Sequence, residues 1–308
     1  MESPPGGVHV AVGTFDGVHR AHSQLLGRVA GEAHATNGLA MVFTFQNHPR
    51  TVLSNSDKPL LITDWELKQK ALSKLPIDLL VGIAFDQEFA SIPAEEFIRN
   101  VLVEKCHAKT IHSGKNFRFG KGGVGGPGLL EECSTLYNYR YEQLEMIVEG
   151  SRRISSTRIR EALWAGECQT ATELLGRPFM LRGVVVTGDS IGRTIGFPTA
   201  NLSVSPQTLR PLYGVYGGSA YQDSFHRPVK ALLNIGVRPT VSGKEERIEV
   251  HLLNWEGELI GKELSFQFLF RLRDEQRFAG LAELKEQLNR DRRKALEELA
   301  APAWAPYF

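Results

Sequence analysis

The sequence has few cysteines, almost no net charge and no long apolar run. Its three cysteines, Cys106, Cys133 and Cys168, form no Cys-x-x-Cys pair. An odd number of scattered cysteines indicates reduced thiols in a reducing compartment and argues against a disulfide framework. The formal net charge is +1, which gives no basic field, so nucleic acid is not an expected partner.

The chain also lacks the sequence signals of secretion and membrane insertion. Its first residues contain no basic segment followed by an apolar core, and no run approaches eighteen apolar residues. We therefore expect a cytoplasmic protein with no membrane partner. The composition, 42% hydrophobic and 23% charged residues over 308 positions, is typical of soluble globular cores and suits two domains.

One stretch near the amino terminus combines a strand, a turn and a helix start. The apolar run Val8–Val12 precedes the segment GTFDGVHRAH at positions 13–22, and a helical period follows. Unpaired amides and the helix dipole favour an anion at a helix N-terminus, so His19 and His22 can both face a bound phosphate. The same pair fits half a metal site or two structural histidines, but no further ligands stand at recognisable spacing.

Strand and helix patterns alternate through the first half. The predicted strands are Leu39–Phe45, Asp78–Phe85 and Ala108–Gly114, and the predicted helices are Asp64–Leu75, capped by Thr63 or Asp64, and Ala94–Val103. This alternation predicts βαβ units in a doubly wound parallel sheet of the α/β class. Ligands bind beyond the carboxyl ends of such strands, which places His48 near the first motif unless it is only a turn residue fixed by Pro49.

Two further segments of the first half contain residues that are typical of ligand-binding sites. In the glycine-rich segment 114–126, Phe117 and Phe119 flank Arg118 and offer aromatic surface and a guanidinium to a flat phosphorylated ligand. The alternative is a flexible glycine loop. The segment ISSTRIR at 154–160 places hydroxyls and arginines at a helix start, where they can receive a triphosphate, although Ser155 or Ser156 could equally be only an N-cap.

The pattern changes after Gly176-Arg177-Pro178, where we predict the domain boundary. The evenly spaced short strands that follow predict a small closed barrel. A final helix follows, with Leu281, Leu284 and Leu288 on one face and Leu296 and Leu299 further along. The predicted strands are Met180–Val186, Val215–Tyr221, Val229–Ile235, Ile248–Leu253 and Leu264–Phe270.

These motifs together resemble those of the bacterial bifunctional riboflavin kinase/FAD synthetases. The first half matches GxFDGVH, TFxxHP at 44–49, GxNFxFG at 114–120 and ISSTxIR; the second matches GxPTAN at 196–201, NIGVRPT at 234–240 and IEVHL at 248–252. Two positions depart from the family pattern. Ala21 stands where a glycine is usual, so the nucleotide would fit more loosely, and Gly126-Pro127-Gly128 stands where Gly-Asp is common.

The resemblance implies a Rossmann-like nucleotidyltransferase domain at 1–176 and a riboflavin kinase domain at 177–308, the latter a six-stranded β-barrel with a terminal helix. It implies two reactions: phosphorylation of riboflavin by ATP to FMN, and adenylylation of FMN to FAD with release of pyrophosphate. By this resemblance His19 and His22 stabilise phosphate charge, Glu249 is the general base of the kinase, and Thr199 and Asn201 hold Mg²⁺ on ATP.

The resemblance also assigns binding residues by position. Expected ATP contacts are Gly13, Thr14, Phe15, Ser155, Ser156, Thr157, Arg160, Gly188, Gly192 and Thr199; expected flavin contacts are His48, Asn116, Phe117, Arg118, Phe119, Arg271 and Arg273.

Two other functions stay open at this point. Ala21 and the absent loop aspartate fit a riboflavin kinase whose adenylyltransferase is weak or lost, and the same scaffold fits a non-catalytic flavin-binding regulator. Glu249 alone would be an ordinary exposed strand glutamate. The expected partners are the small-molecule substrates riboflavin, FMN and ATP, and the sequence leaves self-association undecided.

Overall fold

The computed structural model describes residues 4–54, 59–145, 148–149, 152–188, 191–240 and 243–308. The chain divides into two compact units, Met1–Ser156 and Thr157–Phe308. The segment between Ser156 and the boundary predicted at Gly176 belongs to the second compact unit, and the limits of the two functional domains stay a prediction. Asp189 and Ser190, part of the glycine-containing motif of the second half, lie outside the described residues.

The first unit contains a parallel five-stranded sheet with the order β3-β2-β1-β4-β5. Its strands are β1 Val8–Val12, β2 Leu39–Phe45, β3 Leu79–Ile83, β4 Ala108–Gly114 and β5 Arg140–Leu144. The described helices before the second unit are α1 Arg20–Ala35, α2 Arg50–Leu53, α3 Trp65–Leu72, α4 Gln87–Ala90, α5 Ala94–Glu96 and α6 Pro127–Leu136. The predicted α/β class and doubly wound sheet are confirmed.

The strand order reverses beside β1. From β1 the chain proceeds to β2 and β3 on one side of the sheet and returns to β4 and β5 on the other. In an open α/β sheet such a reversal leaves a crevice at the carboxyl ends of the two central strands. The loops that leave β1 and β4 are the histidine segment and the glycine-rich segment, so this topology brings both motifs to one edge.

One predicted helix differs in kind. The segment predicted as an α-helix from Ala94 has only three α-helical residues and continues as a π-helix over Phe97–Lys105. Phe97, Ile98 and Leu102 are buried in the core of the first unit. The wider π turn alters which side chains face the sheet, and such segments are frequent beside functional sites. Strand β5 and helix α6 were not predicted.

The second unit contains a closed antiparallel barrel of six strands, which confirms the predicted barrel. Around the barrel the order is β10-β11-β12-β9-β8-β13. The strands are β8 Met180–Val186, β9 Ala200–Ser203, β10 Gly214–Tyr221, β11 Val229–Thr240, β12 Gly243–Leu252 and β13 Glu263–Arg273. The short pair β6 Val148–Glu149 and β7 Arg152–Arg153 belongs to the first unit. The further helices are α7 Ser156–Trp164, α8 Cys168–Leu175, α9 Ile191–Thr194 and α10 Leu281–Glu298, with 3₁₀ helices at Lys121–Gly123 and Pro302–Tyr307.

Helix α10 is attached to the barrel by a buried ion pair. Arg273 on β13 donates from Nε and Nη2 to the Asp291 carboxylate at 2.9 and 2.7 Å, and Gln287 Nε2 donates to the same carboxylate at 2.8 Å. Asp291 is only 3% exposed. Of the leucines predicted along this helix, Leu281 is exposed and Leu284 and Leu288 are half-buried, whereas Leu296 and Leu299 pack in the core of the barrel unit.

We predict that Asp291→Asn lowers the free energy of unfolding by about 2–4 kcal/mol, because it leaves a largely buried guanidinium without its counter-charge. Glu286→Gln on the same helix is the matched control, since it removes an exposed ion pair with Arg290 worth at most about 1 kcal/mol. Urea denaturation measures both. Equal losses in the two variants would contradict this role of Asp291.

Candidate functional site

A cavity of about 620 Å³ opens at the reversal point of the parallel sheet. Its volume lies within the range of about 300–1,000 Å³ found for small-molecule sites. The predicted residues that line it are Gly13, Thr14, Phe15, His19, His22, His48, Asn116, Phe117, Arg118, Phe119, Ser155 and Ser156. Motifs from four separate parts of the first unit therefore meet around one space. Their individual roles stay predictions.

The two histidines of the first motif stack at the start of α1. His19 is the N-cap of this helix, and its Nδ1 accepts a hydrogen bond from the His22 amide at 3.3 Å. The ring centroids of His19 and His22 are 3.5 Å apart, and Phe15 packs edge-on against His22. Because Nδ1 of His19 is an acceptor, the ring proton of its neutral form lies on Nε2. His19 is thereby prepared to donate a hydrogen bond from Nε2.

The loop that carries these histidines is strained. Phe15 and Val18 have positive φ angles of 44° and 40°, in a region that non-glycine residues rarely adopt. Asp16, 2% exposed, accepts hydrogen bonds from the backbone amides of Ile62 and Thr63 at 3.1 and 3.4 Å. These buried contacts hold the loop in its strained form.

A buried lysine holds the histidine-containing loop in place by hydrogen bonds to two backbone carbonyls. Lys68 on α3 is 2% exposed, and its Nζ donates to the carbonyls of Thr14 and Phe45 at 2.9 and 2.8 Å. Burial lowers the pKa of Lys68 to about 8, and the charge of Asp16 opposes that shift. Lys68 therefore ties the first loop to the end of β2. No local motif of the sequence pointed to it.

The serine motif meets the same loop. Ser156 Oγ donates to the backbone carbonyl of Asp16 at 2.9 Å, so this hydroxyl has a structural contact beside any role toward a ligand. Thr157 and Arg160 lie in the second unit, where Arg160 is buried on α7. Their contribution to phosphate binding stays a prediction.

The glycine-rich segment contributes an aromatic wall. Phe117 and Phe119 stack with centroids 5.4 Å apart, and Phe119 packs further against Phe97 of the core. Asn116 and Arg118 are exposed at the cavity. The loop has ordered backbone contacts, with Phe119 and Gly125 exchanging two hydrogen bonds. A wholly flexible glycine loop is therefore the weaker interpretation.

A second cavity, of about 790 Å³, lies in the barrel unit. Gly188, Thr199 and Asn201 line it, together with Arg193 and Trp255. A Cβ atom at Gly188 would collide with the Asn201 amide, and one at Gly192 with the carbonyl of Phe197. Glycine is therefore required at both positions for the loop to approach the Thr199–Asn201 segment closely.

Strand register places the predicted general base beside the predicted metal ligand. Glu249 on β12 pairs with Asn201 on β9 and with Asn234 on β11. Directly paired residues project from the same face of a sheet, so the three polar side chains form a row across the barrel wall. Ile248 and Val250 are buried on the other face. Val250 lines the second cavity together with Asn201, and Glu249 is not among the residues that line it.

The two arginines predicted to contact flavin have partners inside the barrel unit. Arg271 Nη2 donates to the Tyr213 carbonyl at 2.7 Å and to Asp274, and Arg273 is bound to Asp291. Neither lines the barrel cavity. Their flavin contacts stay a prediction, and the structure gives both arginines contacts that hold the barrel unit together.

Comparisons with known proteins agree with the two sets of motifs. Residues 2–158 match the family model for FAD synthetase, and residues 175–299 match that for riboflavin kinase. The bifunctional riboflavin kinase/FMN adenylyltransferase of Escherichia coli K12 is 37% identical over 96% of this chain and 94% of its own. The protein of that name from Pseudomonas fluorescens is 35% identical with the same coverage of both chains.

The chain belongs to the bifunctional riboflavin kinase/FMN adenylyltransferase family. A crystal structure described as a macrolide-efflux protein of Streptococcus pneumoniae has the same fold, with a TM-score of 0.80 and 29% identity over 95% of this chain and 93% of that one. Among the described residues, no helix is long and apolar enough to cross a membrane. A family that combines two domains accounts for two separate cavities in one chain.

Lys68 gives a testable prediction for this family member. Lys68→Met keeps the buried aliphatic stem and removes the donor to the Thr14 and Phe45 carbonyls. We expect FAD formation from FMN to fall at least tenfold, FMN formation to persist, and the first unit to lose about 1–3 kcal/mol of stability.

The matched control is Lys70→Met, an exposed lysine on the same helix. The measurement is the rate of each product by chromatography, with thermal unfolding beside it. Wild-type FAD synthesis in Lys68→Met would show that the loop holds its shape without this contact.

Proposed function

We propose that the chain makes FMN from riboflavin on its barrel unit and FAD from FMN on its parallel-sheet unit, using ATP in both steps. The observation that supports this most strongly is that the motifs of the first half surround one cavity, while Gly188, Thr199 and Asn201 of the second half line another within the barrel unit. The protein acts on small molecules, and we place it in the cytoplasm on the ground of its cysteine usage.

In the adenylyl transfer, an oxygen of the FMN phosphate attacks the α-phosphorus of ATP. The bond from that phosphorus to the bridging oxygen breaks, and pyrophosphate leaves with the electron pair. Nε2 of His19, the ring of His22 and the start of α1 offer donors and a positive dipole to the charge that develops on the phosphates. Both substrates need only be positioned, so no protein nucleophile is required.

In the kinase reaction, the terminal ribityl hydroxyl attacks the γ-phosphorus of ATP and ADP leaves. Glu249 accepts the hydroxyl proton. Thr199 and Asn201 present the hydroxyl and amide oxygens that Mg²⁺ takes beside phosphates and water, and the close approach of Gly188 to Asn201 leaves that side chain packed in place. When bound, Mg²⁺ neutralises phosphate charge.

A time course of the purified protein with riboflavin, ATP and Mg²⁺ tests the proposal, with FMN and FAD scored separately. FMN followed by FAD is the expected result. FMN that accumulates without FAD would support a kinase whose adenylyltransferase is lost, and no product at all would support a non-catalytic binding protein.

Two complementary variants assign the reactions to the two units. Glu249→Gln should lower FMN formation by about 10²–10⁴-fold and leave FAD formation from added FMN intact, because only the proton acceptor is removed. His22→Gln should lower FAD formation from added FMN and leave FMN formation from riboflavin intact. Glu245→Gln on β12 and His34→Gln on α1, both exposed, are the matched controls. Loss of both products in either variant would contradict separate sites.

Ala21 is 4% exposed and lines the first cavity. If its methyl group keeps the nucleotide away from the backbone, Ala21→Gly should lower the KM for ATP in FAD synthesis by about fivefold. This change corresponds to the roughly 1 kcal/mol expected for one unfavourable methyl contact. Ala35→Gly, exposed at the end of α1, controls for the cost of glycine in a helix. An unchanged KM would show that Ala21 does not limit nucleotide binding.

A further inference from the structure

Three side chains of the first unit converge away from its cavity. His9 on β1, Glu32 on α1 and His112 on β4 place one donor atom each within 4.8 Å of one another. Among the described residues, they form the one group of three or more histidine, cysteine or carboxylate side chains close enough to share an ion.

This cluster lies between the sheet and α1. Ala11, in register with His112 on the neighbouring strand, packs with Val29 of α1. Glu32 stands one turn beyond Val29, on the same side of the helix. Along the helix axis Glu32 is about 10 Å from Leu25, the last residue of α1 that lines the cavity. The three side chains do not line that cavity, so the cluster is distinct from it, although β1, β4 and α1 all run from one to the other.

Three ring nitrogens of the two buried imidazoles have no hydrogen-bond partner. His112 is 0% exposed, and neither of its ring nitrogens has a hydrogen-bond partner; His9 is 7% exposed, and its Nδ1 has none. Buried polar atoms are normally satisfied, because leaving one unpaired costs about 1–3 kcal/mol. Burial also lowers the pKa of His9, and that of His112 to about 4. Near neutral pH both rings are therefore uncharged and keep a lone pair for a ligand.

The surroundings of His112 match a metal-bound imidazole. Its Nε2 lies 3.9 Å from Glu32 Oε2, and its Nδ1 lies 3.5 Å from Glu142 Oε2. A carboxylate on the second ring nitrogen is the usual support of a metal-bound histidine. Donors around a tetrahedral zinc ion with bonds of about 2.1 Å lie roughly 3.4 Å apart. Small side-chain rotations bring the 3.9 Å pair to that spacing.

We propose that His9, Glu32 and His112 bind one divalent transition-metal ion of the zinc type. Two imidazoles and one carboxylate leave a fourth position for water, an arrangement known from zinc sites. The ion would join α1 to β1 and β4. Mg²⁺ is excluded as the occupant because it prefers oxygen ligands. Arg28 and Arg140 lie close enough to oppose a cation, although Arg140 is paired with Glu142.

The inference goes beyond the proposed function and does not depend on it. Its test uses the full-length protein, stripped with a chelator and titrated with Co²⁺ as a visible probe, followed by competition with Zn²⁺. We expect one ion per chain at micromolar concentration, visible d–d absorption bands of a site with nitrogen and oxygen ligands, and a higher melting temperature with Zn²⁺. Binding only at millimolar concentration would overturn the proposal.

Glu32→Gln is the decisive variant, since its side chain is 40% exposed and its replacement leaves the core intact. It should weaken Co²⁺ binding at least tenfold and abolish the Zn²⁺-dependent rise in melting temperature. Glu142→Gln should weaken binding by about 10–100-fold through His112. His34→Gln, an exposed histidine two residues along the same helix, is the matched control and should bind as the wild type does.

If Glu32→Gln binds Co²⁺ as tightly as the wild type does, the proposal is wrong, and His19 and His22 become the candidate ligands. FMN and FAD formation serve as an independent readout. Both should be unchanged in metal-free Glu32→Gln, because Glu32 lies outside both cavities. A failure of catalysis in the wild type would therefore bear on the proposed function alone, and a failure to bind Co²⁺ on this inference alone.

Discussion

The shape of the loop at the first cavity depends on hydrogen bonds from the buried ammonium group of Lys68. This group binds the carbonyls of Thr14 and Phe45, and so joins the loop after β1 to the end of β2. A loop with two non-glycine residues at positive φ does not persist unless its surroundings determine its shape. Lys68 and the Asp16 carboxylate supply that constraint before any substrate arrives, so the donors of His19 and His22 are already oriented.

Much of the fold was predictable because it rests on local pattern. Strands β1, β2 and β4 were predicted with their observed bounds. The first two are largely apolar, as central parallel strands are, whereas β4 contains four polar residues among its seven. The π-helix at Phe97–Lys105 was not predicted, because its wider turn is set by packing and not by period. Strand β9 was missed because four residues that carry motif side chains leave no alternation to detect.

In the site too, residues within contiguous motifs were predictable, and residues brought together only by the fold were not. Contiguous motifs predicted many of the residues that line the two cavities, because a short fixed spacing can be recognised along a loop or strand. Lys68 was missed, since a single lysine in an amphipathic helix has the appearance of a surface residue until its burial is known. The row of Asn234, Glu249 and Asn201 depends on strand register, which a set of separate motifs does not contain.

Helix α1 connects the chemistry of the first unit to its core. His19 caps its amino end at the cavity, and Glu32 stands near its other end beside two buried imidazoles. A helix docked mainly by aliphatic contacts can slide, because such contacts have no direction. The hydrogen bonds of Asp16 and Lys68 hold the loop at the amino end of α1 against such movement, and a directional contact at Glu32 would add a second fixed point near the other end. The positions of His19 and His22 therefore do not rest on Glu32, and the buried imidazoles of His9 and His112 bear on how firmly the helix as a whole is held.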